Sequence, residues 1–130
     1  MIHLDTSVLI DALAGPQRSA PALRRAIDGG ERLALSTIAL YEWLRGPRRR
    51  EELELQELLL PRESAIPFDV QAAVVAAELY RKVRGARGRE IDLAIAACAI
   101  VHASALWTLN PRDYADVPGL TLFASPSRPQ

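Results

Sequence analysis

Met1-Ile2-His3-Leu4-Asp5-Thr6-Ser7-Val8-Leu9-Ile10-Asp11-Ala12-Leu13 opens the chain and joins two hydrophobic rhythms through one acid. The first four residues are compatible with a strand. After Asp5-Thr6-Ser7, the positions Val8, Leu9, Ile10 and Leu13 recur at helical spacing. A carboxylate at the carboxyl end of a strand, just ahead of a helix, lies in the crevice where open α/β sheets bind their ligands. Considered alone, Asp5 or Ser7 reads more simply as the cap of that helix, a common use of both residue types.

The same alternation continues along the chain. Residues 21–28 read as a helix stopped by Gly29-Gly30, and residues 32–35 as a second strand. Ser36 or Thr37 caps a helix that runs to Arg45 and ends at Gly46-Pro47. Residues 48–60 form a helix that offers Leu53, Leu55, Leu58 and Leu59 for burial, closed by Pro61. Ala65-Ile66-Pro67-Phe68 is a weak third strand, because Pro67 has no amide to give a ladder. Asp69 caps a helix that ends near Gly85, residues 89–104 make another, and residues 105–109 and 120–123 are a fourth and a fifth strand. Strands separated by helices require crossover connections, so the expected fold is α/β, a parallel central sheet of about five strands between helical layers. One domain over residues 1–123 and a frayed tail over residues 124–130 complete the expected organisation.

The composition suits such a domain: 130 residues, 49% hydrophobic and 25% charged. Sixteen basic residues balance sixteen acidic ones, so no overall field announces a nucleic-acid partner. Locally, Arg45, Arg48, Arg49 and Arg50 form one basic cluster, and Arg81, Lys82, Arg84, Arg87 and Arg89 another. Each serves as a solvated helix end, or the two flank a groove that carries phosphates. A single Cys98 excludes an internal disulfide and, inside an apolar stretch, reads as a buried structural thiol. With no segment long enough to span a bilayer and no signal-like start, a cytoplasmic protein without a membrane partner is expected.

Three more acids stand where this fold would bring them to the same sheet edge as Asp5. Glu42 lies on the helix after the second strand, on the face of Ile38 and three residues before Arg45, with which it could form a surface ion pair. Asp92 occupies the first turn of a helix whose following positions are almost entirely apolar. The helix amino terminus could stabilise it, but no Lys or Arg follows it within that helix. Asp113 follows the fourth strand in Thr108-Leu109-Asn110-Pro111-Arg112-Asp113-Tyr114 and could equally be a loop carboxylate. Converging carboxylates repel one another, and a divalent cation offsets that cost. An all-oxygen donor set suits Mg2+ or Mn2+ rather than zinc; His3 and His102 lack ligand spacing and read as structural. Metal ions held by carboxylates at phosphates support in-line displacement, which is nuclease chemistry.

The opening Ile2–Asp11 block, Ser36-Thr37-Ile38-Ala39-Leu40-Tyr41-Glu42, Glu90-Ile91-Asp92-Leu93-Ala94-Ile95-Ala96-Ala97 and the Thr108–Tyr114 segment together resemble the four signature blocks of PIN domains. The nearest similarity is to VapC-like toxins of toxin–antitoxin pairs, in order and over nearly the whole chain. This resemblance implies a metal-dependent endoribonuclease using Mg2+ or Mn2+, with Asp5, Glu42, Asp92 and Asp113 as the metal-binding and catalytic acids. It further implies Ser7, Thr108 and Asn110 as supporting polar groups, RNA as substrate, a cognate antitoxin and a homodimer. One departure stands out: such toxins often carry Thr-Arg-Asn where this chain has Thr108-Leu109-Asn110. Two other readings compete. A phospho-aspartate receiver or phosphatase wants a Lys near a later strand end, and the one lysine, Lys82, sits in a predicted helix. A noncatalytic PIN-like binding module would be expected to lose one or more of the four acids.

Overall fold

The computed structural model describes residues 1–124. Its centre is a sheet of four parallel strands, β1 (Ile2–Leu4), β2 (Leu33–Ala34), β3 (Ala105–Trp107) and β4 (Thr121–Leu122), in the order β2-β1-β3-β4. Six helices connect and cover it: α1 (Thr6–Leu13), α2 (Ala20–Asp28), α3 (Thr37–Arg45), α4 (Arg50–Leu59), α5 (Val70–Lys82) and α6 (Glu90–Val101). The α/β class and the parallel sheet agree with the sequence. One strand fewer is present. Residues 65–68 make a single parallel bridge, Ser36 to Ile66, because Pro67 cannot donate and the Phe68 amide donates to Thr37 Oγ1 instead of to a ladder. Within the expected tail, residues 125–130 lie outside the described residues.

β1 is the pivot of the sheet. Ile2 and His3 register with Leu33 and Ala34 on one side, while Ile2, His3 and Leu4 register with Ala105, Leu106 and Trp107 on the other. The chain leaves β1 for β2 in one direction and reaches β3 in the other, so the order reverses at β1/β3 and opens a crevice beyond their carboxyl ends. Asp5 follows β1 and Thr108 follows β3, which puts both at that crevice.

α6 forms the floor of the core. Beyond its first turn it is apolar on every side, and Leu93 through Ala99 are all buried. Cys98 is among them, and burial pushes its thiol up to about 11, which makes it an inert packing residue. Trp43 is completely buried with the Arg48 guanidinium over its ring, whereas Tyr41 faces outward.

α4 departs from expectation in which face it buries. Its inward stripe carries Glu52 and Gln56, while Leu55, Leu58 and Leu59 are exposed, Leu58 at 80%. The two buried polar residues serve the helix itself: Glu52 Oε1 accepts the Arg49 amide at 2.7 Å, and Gln56 Nε2 donates to the Leu60 carbonyl at 3.0 Å. End satisfaction, rather than apolar periodicity, sets the orientation of this helix.

Candidate metal centre

Asp5 sits at the amino end of α1 with extended backbone, yet its side chain makes no capping bond there. It turns instead toward the loop after β3. Ser7 Oγ donates to Asp5 Oδ2 at 2.8 Å, Thr108 Oγ1 donates to the same oxygen at 2.7 Å, and the Tyr114 hydroxyl donates to Oδ1 at 3.0 Å. The two smaller hydroxyls are themselves aimed by backbone: the Leu109 amide donates to Ser7 Oγ and the Asn110 amide to Thr108 Oγ1, each at 3.0 Å. Amide to hydroxyl to carboxylate is a chain in which each bond polarises the next, and it leaves Asp5 one orientation. The cap reading of Asp5 therefore fails.

Asp92 reaches the same centre from α6. Its Oδ1 lies 3.3 Å from the Tyr114 hydroxyl, so one oxygen atom separates Asp5 from Asp92. Burial holds the Asp92 carboxyl above the usual Asp range, reinforced by the negative charges of Asp5, Glu42 and Asp113, against a smaller lowering by the Tyr114 hydrogen bond. The charges of Asp5, Glu42 and Asp113 thus all bear on Asp92. The cation absent from the body of α6 is at its start: Arg89 precedes Asp92, but it is committed elsewhere. Its guanidinium makes a two-pronged pair with Asp116 at 2.7 and 2.8 Å and donates to the Asp113 carbonyl at 2.8 Å.

Glu42 stands one step out. It accepts from Thr6 Oγ1 at 2.8 Å, next door to Asp5, and from Arg45 at 3.3 Å. The surface ion pair expected from the sequence is thus present, but a shorter bond to Thr6 ties Glu42 to the β1 end. Asp113 ends a 3-10 turn at Pro111–Asp113 and is exposed; Asn110 is exposed as well and contributes its backbone amide. Three participants carried no signal as isolated residues. Thr6 lies between the two singled-out residues Asp5 and Ser7, Tyr114 directly follows Asp113, and Arg89 was counted only as part of a basic cluster.

Among the described residues no group of three or more acidic, His or Cys side chains converges closely enough to cage an ion without help. The donor chemistry nevertheless fits Mg2+, which keeps several of its waters and takes one or two carboxylates plus substrate phosphates rather than a full protein cage. Asp5 and Asp92 are the two carboxylates that would hold it.

Comparison with known proteins identifies the family. Residues 2–120 match the PIN domain family. The chain is 32% identical over 122 residues to Ribonuclease VapC19 of Mycobacterium tuberculosis, covering 90% of this chain and 94% of the relative. It is 30% identical over 115 residues to Ribonuclease VapC1 of Methanocaldococcus jannaschii, covering 87% and 78% respectively. Among solved structures, VapBC2 from Rickettsia felis bound to a DNA fragment from its promoter superposes with a TM-score of 0.76 at 23% identity, covering 95% of this chain and 98% of that one. With a parallel sheet that reverses at β1/β3 and a match from residue 2 to residue 120, the chain belongs to the PIN domain family.

Proposed function

We propose that the protein is a Mg2+- or Mn2+-dependent endoribonuclease that acts as the toxin of a toxin–antitoxin pair. The observation that carries this reading is the Asp5–Tyr114–Asp92 arrangement at the sheet's switch point, with Asp92 held above its ordinary proton affinity range by burial and by its acidic neighbours. Similarity over most of the chain to proteins named as VapC ribonucleases supports the substrate class. Asp5, Glu42, Asp92 and Asp113 are the metal-binding and catalytic acids of the proposal, with Asp5 and Asp92 nearest the ion and Ser7, Thr108 and Asn110 supporting them. When bound, the cation would supply charge for the phosphate and an activated water. The protein's own work is to keep Asp5 immobile, to hold Glu42 beside it through Thr6, and to keep Asp113 near α6 through Arg89.

Thermal melts test the metal. Folding raises the Asp92 pKa, so the native state binds the proton more tightly than the unfolded chain. Stability of the metal-free protein should then fall as pH rises above the ordinary value of 3.8, over a window that closes at the raised pKa. At neutral pH in chelator, Asp92→Asn should be as stable as wild type or more so. Mn2+ at about 100 times its dissociation constant should add about 2.7 kcal/mol to wild type, roughly 10 °C for a domain of this size, and little to the variant. A wild-type melt indifferent to Mn2+ would refute the metal centre.

For the partner, the outward leucines of α4 supply a surface. Arg50, Leu53, Glu54, Glu57 and Leu58 line an open apolar groove, flanked by exposed Leu55 and Leu59. An antitoxin segment lying there would bury this face and could bring a basic side chain to the acids, and a homodimer completes the proposed assembly. Expression alone should slow growth and co-expression should relieve it. Leu58→Asp should weaken partner binding by about tenfold or more while leaving RNA cleavage intact. Equal affinity of the two forms in a pull-down titration would move the interface elsewhere. The setting we propose is the cytoplasm; no helix among the described residues is long and apolar enough to cross a membrane.

A further inference from the structure

We infer that Tyr114 is the positioning residue of the metal centre: its hydroxyl couples Asp5 to Asp92 and so sets the affinity for the ion. This inference rests on the metal-nuclease reading above. The hydroxyl has one proton and two carboxylate neighbours, Asp5 Oδ1 at 3.0 Å and Asp92 Oδ1 at 3.3 Å. A three-centre bridge of this kind fixes the rotamers of two side chains that would otherwise turn apart under their own repulsion. It also orders them before any ion arrives, which removes part of the ordering cost of binding.

The bridge is rigid because the tyrosine is. Only 2% of Tyr114 is exposed, and its ring is part of the hydrophobic core. Its backbone amide donates to the Pro111 carbonyl, closing the turn that carries Asp113. On the other side of the residue, Arg89 clamps the same loop through the Asp113 carbonyl and the Asp116 carboxylate. Ring packing, turn and clamp together give the hydroxyl one position. The phenol itself is held well above its ordinary pKa by burial and by the two acids, so it remains a hydrogen-bond donor rather than a third negative charge.

Tyr114→Phe keeps the ring and deletes the bridge. Calorimetric titration with Mn2+ should show affinity reduced about 10- to 100-fold, the range for losing an outer-shell partner of a metal ligand. In RNA cleavage assays, kcat at saturating Mn2+ should return to within a few-fold of wild type with the KM for RNA unchanged. A packing role alone would lower the melting temperature and leave Mn2+ affinity where it was; that result overturns the inference. Melts of Tyr114→Phe, Asp92→Asn and the double variant in chelator provide a readout that needs no metal. Non-additive shifts support the bridge, and additive ones overturn it. Should wild type bind no Mn2+ while the shifts remain non-additive, the bridge is structural, and both the metal reading and the positioning role fall.

Discussion

RNA cleavage by Asp5→Asn should fall by more than about 100-fold, beyond the upper end of what losing an outer-shell partner costs, because this change removes a proposed ligand itself. The side chain keeps its volume, but one acceptor oxygen becomes a donor and faces hydroxyls that already donate. Ser7 and Thr108 both give their protons to Asp5 Oδ2, and Tyr114 gives its proton to Oδ1. A stability loss of roughly 1–2 kcal/mol should accompany the loss of activity, the usual cost of an unmatched buried hydrogen bond. Asp92→Asn should match the activity loss without the stability loss, since burial and neighbouring charges already disfavour its ionised form. The pair of variants therefore separates chemistry from folding. Single-turnover cleavage with purified, nuclease-free protein in Mg2+ or Mn2+ is the measurement. Activity that survives both substitutions, or exhaustive chelation, would remove the acids from the mechanism.

Acid should destabilise the metal-free protein through a residue with no proposed catalytic duty. His3 is 1% exposed in the middle of β1, neither ring nitrogen has a hydrogen-bond partner, and its ring stacks on His102 at 5.8 Å. Burial, then the charge of His102 and the nearby amino terminus, lower its pKa from 6.5 to about 4. The unfolded chain takes up a proton at this ring near pH 6.5 and the folded chain resists until about pH 4. The stability this group contributes is complete above pH 6.5 and is lost as pH falls toward about 4, a change of about 3 kcal/mol at 1.36 kcal/mol per unit. His3→Leu should abolish that component. Denaturant titrations of wild type and variant at pH 8 and pH 4.5 give the difference directly. Equal acid sensitivity of the two proteins would show that the ring protonates without unfolding.

What could be read from the sequence follows from what each signal reports. The β1–α1 junction, a cap of α3 at Ser36 or Thr37, Asp69 as the cap of α5 and the apolar body of α6 were legible because local chemistry and tertiary structure ask the same of those residues; Ser36 and Asp69 accept the Ala39 and Ala72 amides. Residues 65–68 misled because strand-like composition says nothing of whether a neighbouring ladder has room, and Pro67 with the Thr37 hydroxyl left room for one bridge. α4 misled for another reason. Leucine spacing shows that a helix has an apolar face, not that the face points inward, and Glu52 and Gln56 turned it outward. The grouping of Asp5 with Asp92 was legible from strand ends and helix starts. Tyr114 was not, because a hydroxyl's two partners, 109 and 22 residues away, leave no periodic trace.

That separation along the chain matters while the protein is being made. Asp5 emerges from the ribosome long before its supports: Thr108 and Tyr114 come 103 and 109 residues later, and β1 has no β3 to lie against until residues 105–107 appear. At about 5–20 residues per second, several seconds pass in which the nascent chain carries the acid without the device that aims it. For an enzyme whose proposed substrate surrounds it during translation, late closure is a form of timing: catalytic competence waits on residues made about a hundred positions after the acid they aim.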